Sequence, residues 1–310
     1  LLPKRLLRLD FNNTDQVQLM ECAEGQAGRY AALSHCWGNP RDMEQIKTTR
    51  RNYKQRLRCI LYGDLPKSFQ DAVRVCRALG LQHLWIDSLC IVQDDSNDWQ
   101  HESAKMTDTY ENAFITLAAT ASAGCTEGFT MTHQRPRHFS EFSVYPGPDL
   151  VRLRNQPLYR RGWTLQEMAL SGRLVHFAHD QLYWFCRSST QGQYGQNLGT
   201  GTALPALNSR PTEQDPTLQD HNLWWDWVED YSRRQLTRSE DKFPALAGLT
   251  KKFQQLTGGH HALGLWMDDI HYGLLWRRAR TSKGSQPSAE EADGYSYIPS
   301  WSWASIQGPI

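Results

Sequence analysis

The chain has 310 residues, of which 39% are hydrophobic and 22% are charged, so it is long enough for one large or two modest globular domains. Its formal net charge is +1, from 34 basic and 33 acidic side chains, which argues against a nucleic-acid-binding or membrane-binding surface. No apolar run reaches the ~18 residues of a membrane-spanning helix, and the N-terminal LLPKRLLRLDF lacks the features of a signal peptide.

The cysteine pattern excludes two kinds of structural site. Seven cysteines are spread along the chain without a CxxC pair, at positions 22, 36, 59, 76, 90, 125 and 186. An odd number at wide spacing does not fit a disulfide framework, and no pair has the spacing of zinc ligands. We therefore predict reduced, mostly buried thiols, no bound metal and a cytoplasmic location.

The first third of the chain predicts a strand and then a helix. The short apolar run YAALSHCW (30–37) ends at a Gly-Asn-Pro turn, which is typical of a strand end. In LPKSFQDAVRVCRALG (65–80) apolar residues recur at helical spacing. Ser68 and Asp71 have the spacing of a capping box, and Gly80 is typical of a helix end.

The next three segments continue this alternation. LWIDSLCIV (84–92) has the length and composition of a strand, and FITLAATAS (114–122) predicts a further strand. Between them, residues 96–113 predict a helix with acidic residues at its N-terminus. Apolar strands that alternate with helices predict a parallel sheet. The expected fold class is therefore α/β, with a parallel, Rossmann-like sheet and helices on both faces.

The rest of the chain has a different pattern. RLVHFAHDQLYWFC (173–186) alternates as an antiparallel hairpin does, with its turn at Asp180–Gln181. Residues 222–258 predict two helices, and the closing YIPSWSWASIQGPI (297–310) predicts a strand. We expect three regions: an α/β core (1–185), a flexible loop (186–221), and a Trp-rich mixed α+β extension that packs on the core and is truncated at its end (222–310).

Three side chains are candidates for catalysis: Asp87, Glu102 and His35. Asp87 lies within the apolar run 84–92, where a buried carboxylate needs a partner. It either pairs with backbone amides or a basic group such as Arg161, or meets a ligand at the carboxyl end of a parallel strand. Glu102 is either a first-turn acid favoured by the helix dipole or a catalytic acid beside that strand end. His35 is either a core residue or a site residue.

Six further side chains are candidates for substrate binding: Trp37, Cys90, Arg161, Trp163, Gln166 and Glu167. In RRGWTLQE (160–167), a guanidinium beside an indole suits a phosphate or carboxylate with a stacked ring. The same arginine alternatively neutralises a carboxylate and fixes the packing of this segment. For Cys90, the alternative is a small, buried apolar residue.

Two further features of the sequence concern the kind of ligand that it could bind. They are the motifs that the chain lacks and the tryptophans that it contains. The chain has no GxGxxG or GxxxxGK[ST] loop and no GxSxG or HExxH motif, so we expect no bound cofactor. Twelve tryptophans gather mainly in LWWDWVEDY (223–231), in residues 262–278 and in PSWSWAS (299–305). They are either large core anchors or the walls of a pocket for a flat, apolar ligand.

Six motifs resemble the fungal heterokaryon-incompatibility (HET) domain family, in its long, single-domain form. They are YAALSHCWG (30–38), LPKSFQDAVRVCRALGLQHLWIDSLCIVQDD (65–95), DWQHESAKMTDTYENAFITLAAT (98–120), RRGWTLQEMALSGRLVHF (160–177), VEDYSRRQLTRSEDKFPALAGL (228–249) and PSWSWASIQGP (299–309). The resemblance thus covers nearly the whole chain.

The resemblance implies a role in fungal programmed cell death and a distant relationship to the TIR fold, some members of which cleave NAD. One hypothesis is therefore hydrolysis of NAD or a related nucleotide. The alternative is a cofactor-independent cyclase of fungal secondary-metabolite biosynthesis, which needs an aromatic pocket and a few hydrogen-bond donors. A third hypothesis is a non-catalytic recognition module with its tryptophans exposed. The expected partner is a small molecule, without nucleic acid or membrane, and self-association stays open.

Overall fold

The computed structural model describes residues 1–10, 12–44, 46–130, 137–138, 143–144, 148–198, 216–279 and 298–310. The chain divides into two compact units. The first unit comprises Leu1–Tyr159 and Leu170–Leu204, and the second comprises Arg160–Ala169 and Pro205–Ile310. The segment 160–167, which the sequence assigned to the α/β core, therefore belongs to the second unit.

The strands and α-helices of both units are numbered here in chain order. The strands are β1 (Arg5–Leu9), β2 (Gln16–Glu21), β3 (Ala31–Ser34), β4 (Ile60–Leu61), β5 (His83–Trp85), β6 (Ile115–Ala118), β7 (Arg137–His138), β8 (Ser143–Val144), β9 (Arg173–Phe177), β10 (Leu182–Cys186), β11 (Thr190–Gly192), β12 (His261–Ala262) and β13 (Leu265–Trp266). The α-helices are α1 (Pro40–Glu44), α2 (Tyr53–Arg56), α3 (Lys67–Ala78), α4 (Asp87–Cys90), α5 (Ser96–Asn112), α6 (Leu150–Arg154), α7 (Thr164–Leu170), α8 (Pro216–Ser232), α9 (Ala247–Thr257) and α10 (Ile270–Gly273).

A mixed sheet forms the centre of the first unit. Within the described residues it has nine strands, in the order β11-β10-β9-β6-β3-β5-β1-β2-β4. The four central strands β9, β6, β3 and β5 are parallel, and the pairs on either side are antiparallel. β3 and β6 are buried along their whole length, as strands of a covered parallel sheet are. The predicted α/β class is confirmed.

The order of the parallel strands indicates where a ligand would lie. The chain enters at β3, adds β5 on one side, and then crosses over to add β6 and β9 on the other side. This is the flavodoxin-like order, in which ligands bind outside the carboxyl ends of the strands where the order reverses. Here the reversal lies between β3 and β6, so a ligand site is expected near the segments that follow the central strands.

The apolar run 84–92 is not one strand, so the predicted mid-strand position of Asp87 is wrong. β5 ends at Trp85, and Asp87 is the first residue of α4. Its Oδ1 accepts a hydrogen bond from the backbone amide of Ser88 at 2.6 Å, a local contact that favours a turn over an extended strand. The remaining residues of α4 are buried, and a short apolar run does not distinguish a strand from a buried helical turn.

Helix α3 begins differently from the prediction. Its N-cap is Pro66 without a side-chain cap, and Ser68 is buried within the first turn. Asp71 instead accepts hydrogen bonds from the backbone amides of Phe129 at 2.8 Å and Thr130 at 3.1 Å. The predicted capping box is therefore wrong, because the carboxylate serves a loop that is distant in sequence.

The segments that close the first unit agree only in part with the prediction. The predicted hairpin at 173–186 is confirmed, since β9 and β10 pair in antiparallel register. The first part of the predicted loop 186–221 carries β11, which pairs with β10. Residues 199–215 of that predicted loop lie outside the described residues, as do residues 280–297 of the predicted extension.

The second unit has an aromatic core of its own. Trp224, Trp227, Trp266 and Trp303 are fully buried, and the ring centres of Trp224 and Trp266 are 5.3 Å apart. The indole of Trp303 donates to the carbonyl oxygen of Gly264 at 2.9 Å. This anchor draws the closing segment into a 3-10 turn at 303–305, so the strand predicted there is wrong.

The loops that follow β3 and β6 touch at two glycines. Gly38 has a φ of +82°, and a Cβ there would lie 2.8 Å from the Cα of Gly124. We expect Gly38→Ala to lower the free energy of unfolding by about 2 kcal/mol or more, because it adds backbone strain and a main-chain clash. Chemical denaturation measures the change. Gly172→Ala is the matched control, since a Cβ there meets nothing within 4 Å, and equal stability of both variants contradicts the prediction.

Candidate functional site

Asp87 is the centre of the polar contacts at the carboxyl ends of β3 and β5. Its Oδ2 accepts a hydrogen bond from the indole N–H of Trp37 at 2.7 Å, and its Oδ1 accepts one from the Ser88 amide. Nδ1 of His35 lies 3.8 Å from Oδ1. His35 is buried edge-on against Phe69, with ring centres 5.0 Å apart. Two predicted residues that follow β3 therefore meet one that follows β5.

Glu102 is a buried carboxyl group on α5, with only 3% of its surface exposed. Its Oε1 has no hydrogen-bond partner among the residues that the structure describes. Burial raises the pKa of Glu102, and the positive charge of Arg5 offsets only part of this rise. A buried carboxyl group with a raised pKa and an unpaired oxygen is a candidate for proton transfer.

Arg5 completes this group, and the sequence did not single it out. Its Nε donates to the carbonyl oxygen of Cys90 at 2.6 Å, and its Nη2 donates to Asp98. Asp98 also accepts hydrogen bonds from Lys4 at 2.8 Å and from the Val92 amide at 2.9 Å. Because β1 is antiparallel to β5, the start of β1 lies beside the carboxyl end of β5. The apolar pattern RLLRL was the signal that could have predicted β1.

Cys90 is a buried residue of α4, and its carbonyl oxygen is the acceptor for Arg5. The positive charge of Arg5 lowers the pKa of this thiol, and the negative charges of Glu102 and Asp87 raise it. Burial raises the pKa of Cys90 to about 12, so the thiol is protonated at neutral pH. A protonated, buried thiol is neither a nucleophile nor an ionic ligand. This favours a packing role for Cys90 over its predicted role in substrate binding.

The thiols are expected to differ strongly in reactivity, although all seven are free. Burial raises the pKa of Cys186, but hydrogen bonds with Ser188 and Ser189 lower it more, to about 6. We expect iodoacetamide at pH 7 to alkylate Cys186 at least ~100-fold faster than Cys90, because the thiolate is the reacting form. Mass spectrometry of digested samples over time measures both rates, and Cys186→Ser should remove the fast phase. Similar rates at the two thiols contradict the prediction.

The comparison with known families points to one of them. Residues 30–167 match the family model described as heterokaryon incompatibility protein (HET). This chain carries a HET domain. All of the predicted site residues lie inside the matched region, whereas Arg5 lies before it. No curated protein and no solved structure shows significant similarity to the chain. The match over residues 30–167 supports a protein of the heterokaryon-incompatibility type.

Four predicted binding residues of the HET domain lie in the second unit: Arg161, Trp163, Gln166 and Glu167. The indole of Trp163 donates to Oδ2 of Asp241 at 3.1 Å, and Oε1 of Gln166 accepts from the Gly248 amide at 3.3 Å. The carbonyl oxygen of Arg161 accepts from the Thr164 hydroxyl at 2.8 Å, and Glu167 is buried. These contacts support the packing interpretation, and a role of this block in binding phosphate stays a prediction.

The candidate site of the HET domain is the group of residues around α4. It contains Asp87, Glu102, His35 and Trp37 from the predicted set, and Arg5 in addition; we call it the α4 site. Within the described ranges, no group of three His, Cys, Asp or Glu residues is placed to hold a metal ion. In the same ranges, the helices are too short or too polar to cross a membrane.

Proposed function

We propose that the α4 site of the HET domain hydrolyses NAD or a related nucleotide, and that this reaction drives fungal cell death in heterokaryon incompatibility. The observation that carries the proposal is the buried Glu102 carboxyl group. Its Oε1 has no hydrogen-bond partner among the described residues. Burial of such a group is costly, and perturbed carboxyl groups concentrate at functional sites.

The reaction needs a base more than an acid. Nicotinamide leaves the ribose carbon of NAD as a neutral molecule, because its ring nitrogen is positively charged while it is bonded to the sugar. Water supplies the oxygen for the new bond, and its proton passes to a base, so the products are nicotinamide, ADP-ribose and a proton. The transition state resembles an oxocarbenium ion, which a nearby carboxylate stabilises. In this proposal Glu102 is both the stabilising carboxylate and the base.

Asp87 is proposed to hold the ribose of the nucleotide. A carboxylate offers about four acceptor positions, and the indole of Trp37 and the amide of Ser88 occupy two of those on Asp87. The others suit sugar hydroxyl groups, which are hydrogen-bond donors. The location at the carboxyl ends of β3 and β5, beside the reversal of strand order, supports a nucleotide-sized ligand.

Nicotinamide release tests the proposal directly. The purified full chain is incubated separately with NAD, NADP and ATP, with heat-denatured protein as the blank, and the products are separated by liquid chromatography. We expect nicotinamide to appear from NAD or NADP while ATP stays intact. If neither dinucleotide yields nicotinamide above the blank, the proposed hydrolysis is wrong.

The cyclase alternative depends on an aromatic pocket. The tryptophans available for such a pocket include Trp224 and Trp266, which are buried in the second unit against Phe253. Core packing accounts for these rings. The cyclase therefore stays a hypothesis, without a specific contact in its favour.

A further inference from the structure

One buried arginine lacks the partner that the others have. Arg5, Arg56 and Arg234 are all buried, with 9% of the surface of Arg56 exposed. Arg5 pairs with Asp98, and Arg234 pairs with Asp230 at 2.9 Å. In the part of the chain that the structure describes, no carboxylate pairs with Arg56. A buried charge without a counter-charge is costly, so this position needs an explanation.

The guanidinium of Arg56 is held at one nitrogen and open at the other two. Nη1 donates to Oγ1 of Thr48 at 3.4 Å. Nε and Nη2 have no acceptor among the described residues. Burial lowers the pKa of Arg56 to about 10, so the group still carries its charge at neutral pH. Its geometry is the planar fork of donors that fits two oxygens of a phosphate or carboxylate.

The surrounding segment is strongly basic. Residues 46–63 contain six basic side chains and no acidic one: Lys47, Arg50, Arg51, Lys54, Arg56 and Arg58. Two of these have acidic partners elsewhere, since Lys47 pairs with Glu44 and Arg50 pairs with Asp95. A cluster of one sign raises the local potential and attracts ions of the other sign.

Thr48 connects Arg56 to α4. Its hydroxyl donates to the carbonyl oxygen of Leu89 at 2.6 Å, and its amide donates to the carbonyl oxygen of Ser88 at 2.9 Å. Tyr53 lies three residues before Arg56 on α2. The centre of its ring is 5.9 Å from the guanidinium carbon of Arg5, a member of the α4 site. The open guanidinium therefore lies next to the helix on which the α4 site is built.

We propose that Arg56 binds a phosphate group of an anionic ligand beside the α4 site, with Thr48 holding the guanidinium in position. Nε and Nη2 donate the two hydrogen bonds, one to each of two phosphate oxygens. In NAD, the group bound would be the pyrophosphate that joins the two ribose units. The assignment to NAD rests on the proposed function, whereas the anion site does not.

Thermal unfolding of the full chain in rising concentrations of pyrophosphate tests the anion site. We expect the Tm of the wild type to rise more than in chloride of equal ionic strength, since a ligand of the folded state stabilises it. Arg56→Met should weaken the apparent affinity by about 10-fold or more, because it removes charge-assisted hydrogen bonds. Without pyrophosphate its Tm should equal or exceed that of the wild type, because an uncompensated buried charge is gone.

Lys54→Met is the matched control, since Lys54 is an exposed cation on the same helix. It should keep most of the affinity. The anion site is wrong if the wild type shows no rise beyond chloride, if Arg56→Met binds as the wild type does, or if Lys54→Met loses as much affinity as Arg56→Met. Should Arg56→Met fail to fold, Arg56→Lys keeps the charge and loses the fork, and unchanged affinity in that variant also overturns the proposal.

Kinetics with NAD separate this proposal from the proposed function. We expect Arg56→Met to raise the KM for NAD by about 10-fold with little change in kcat, because it removes a ground-state contact. If pyrophosphate binds through Arg56 but NAD is not hydrolysed, the anion site is supported and the proposed hydrolysis is wrong. Hydrolysis of NAD with an unchanged KM in Arg56→Met refutes the pyrophosphate assignment and leaves the hydrolase standing.

Discussion

Glu102→Gln is expected to slow the release of nicotinamide from NAD by about 10²–10⁴-fold, because an amide cannot take the proton of the attacking water. Glutamine has the shape of glutamate, so the variant should fold and bind NAD with a similar KM. Steady-state rates of nicotinamide release measure the effect. Asp108→Asn makes the same chemical change on the exposed surface of α5 and should keep the full rate. A Glu102→Gln enzyme as fast as Asp108→Asn would show that Glu102 is not the base.

Stability gives a second measure of the same carboxyl group. The pKa of Glu102 is raised in the folded protein, so its ionised form is disfavoured there. Its contribution to stability is complete below the unfolded pKa of about 4.3 and is lost as the pH rises through the folded pKa. We therefore expect Glu102→Gln to have an equal or higher Tm than the wild type at pH 7, with the difference vanishing towards about pH 4. Activity should rise over the same pH range, because the ionised form is the base.

Arg5→Met is expected to lower the free energy of unfolding by about 3–5 kcal/mol, as the loss of one member of a buried ion pair does. The largely buried Asp98 side chain would keep only the exposed Lys4 as a charged partner, and the carbonyl oxygen of Cys90 would lose its donor. Chemical denaturation measures the change. Arg8→Met, on the exposed side of the same strand, is the control and should change stability by about 0.5 kcal/mol or less. Equal losses in the two variants would contradict a special role for Arg5.

The loss of stability at low pH should also depend on the ion pair between Arg5 and Asp98. Burial raises the pKa of Asp98, but hydrogen bonds from Lys4, Val92 and Arg5 lower it more, so its net shift is downward. A group with a lowered folded pKa contributes stability above its unfolded pKa of about 3.9, and this is lost as the pH falls through the folded value. The wild type should therefore lose stability below about pH 4 more steeply than Arg5→Met does.

Much of the parallel core was predictable because its signals are local. β3 and β6 are mostly apolar runs, and Asp95 caps α5 by accepting hydrogen bonds from two amides of its first turn. The place of β1 in the sheet was not predicted, because it pairs with β5 through residues such as Leu7 and Leu84, which are far apart in sequence. Long-range pairing of this kind leaves only a weak trace in either strand.

The α4 site was predictable only in part, for the same reason. Asp87 and Trp37 follow neighbouring strands, and the hydrogen bond between them agrees with that placement. Arg5 forms its ion pair with a residue 93 positions away, and no local pattern connects the two. Arg161 was weighed as a partner of Asp87 on charge alone, and charge without distance does not select a partner. The catalytic and binding roles of these residues stay predictions.

The residues that match the family model include only some of the strands of the central sheet. β1 borders β5 and β9 borders β6, yet both bordering strands lie outside residues 30–167. A fragment with those limits would keep β3, β5 and β6 of the parallel sheet, and β5 and β6 would become unpaired edge strands. Unpaired edge strands are templates for strand addition by other polypeptides. We expect such a fragment to aggregate rather than stay monomeric. We therefore expect a fragment that folds on its own to need β1 and β9 as well as the matched residues.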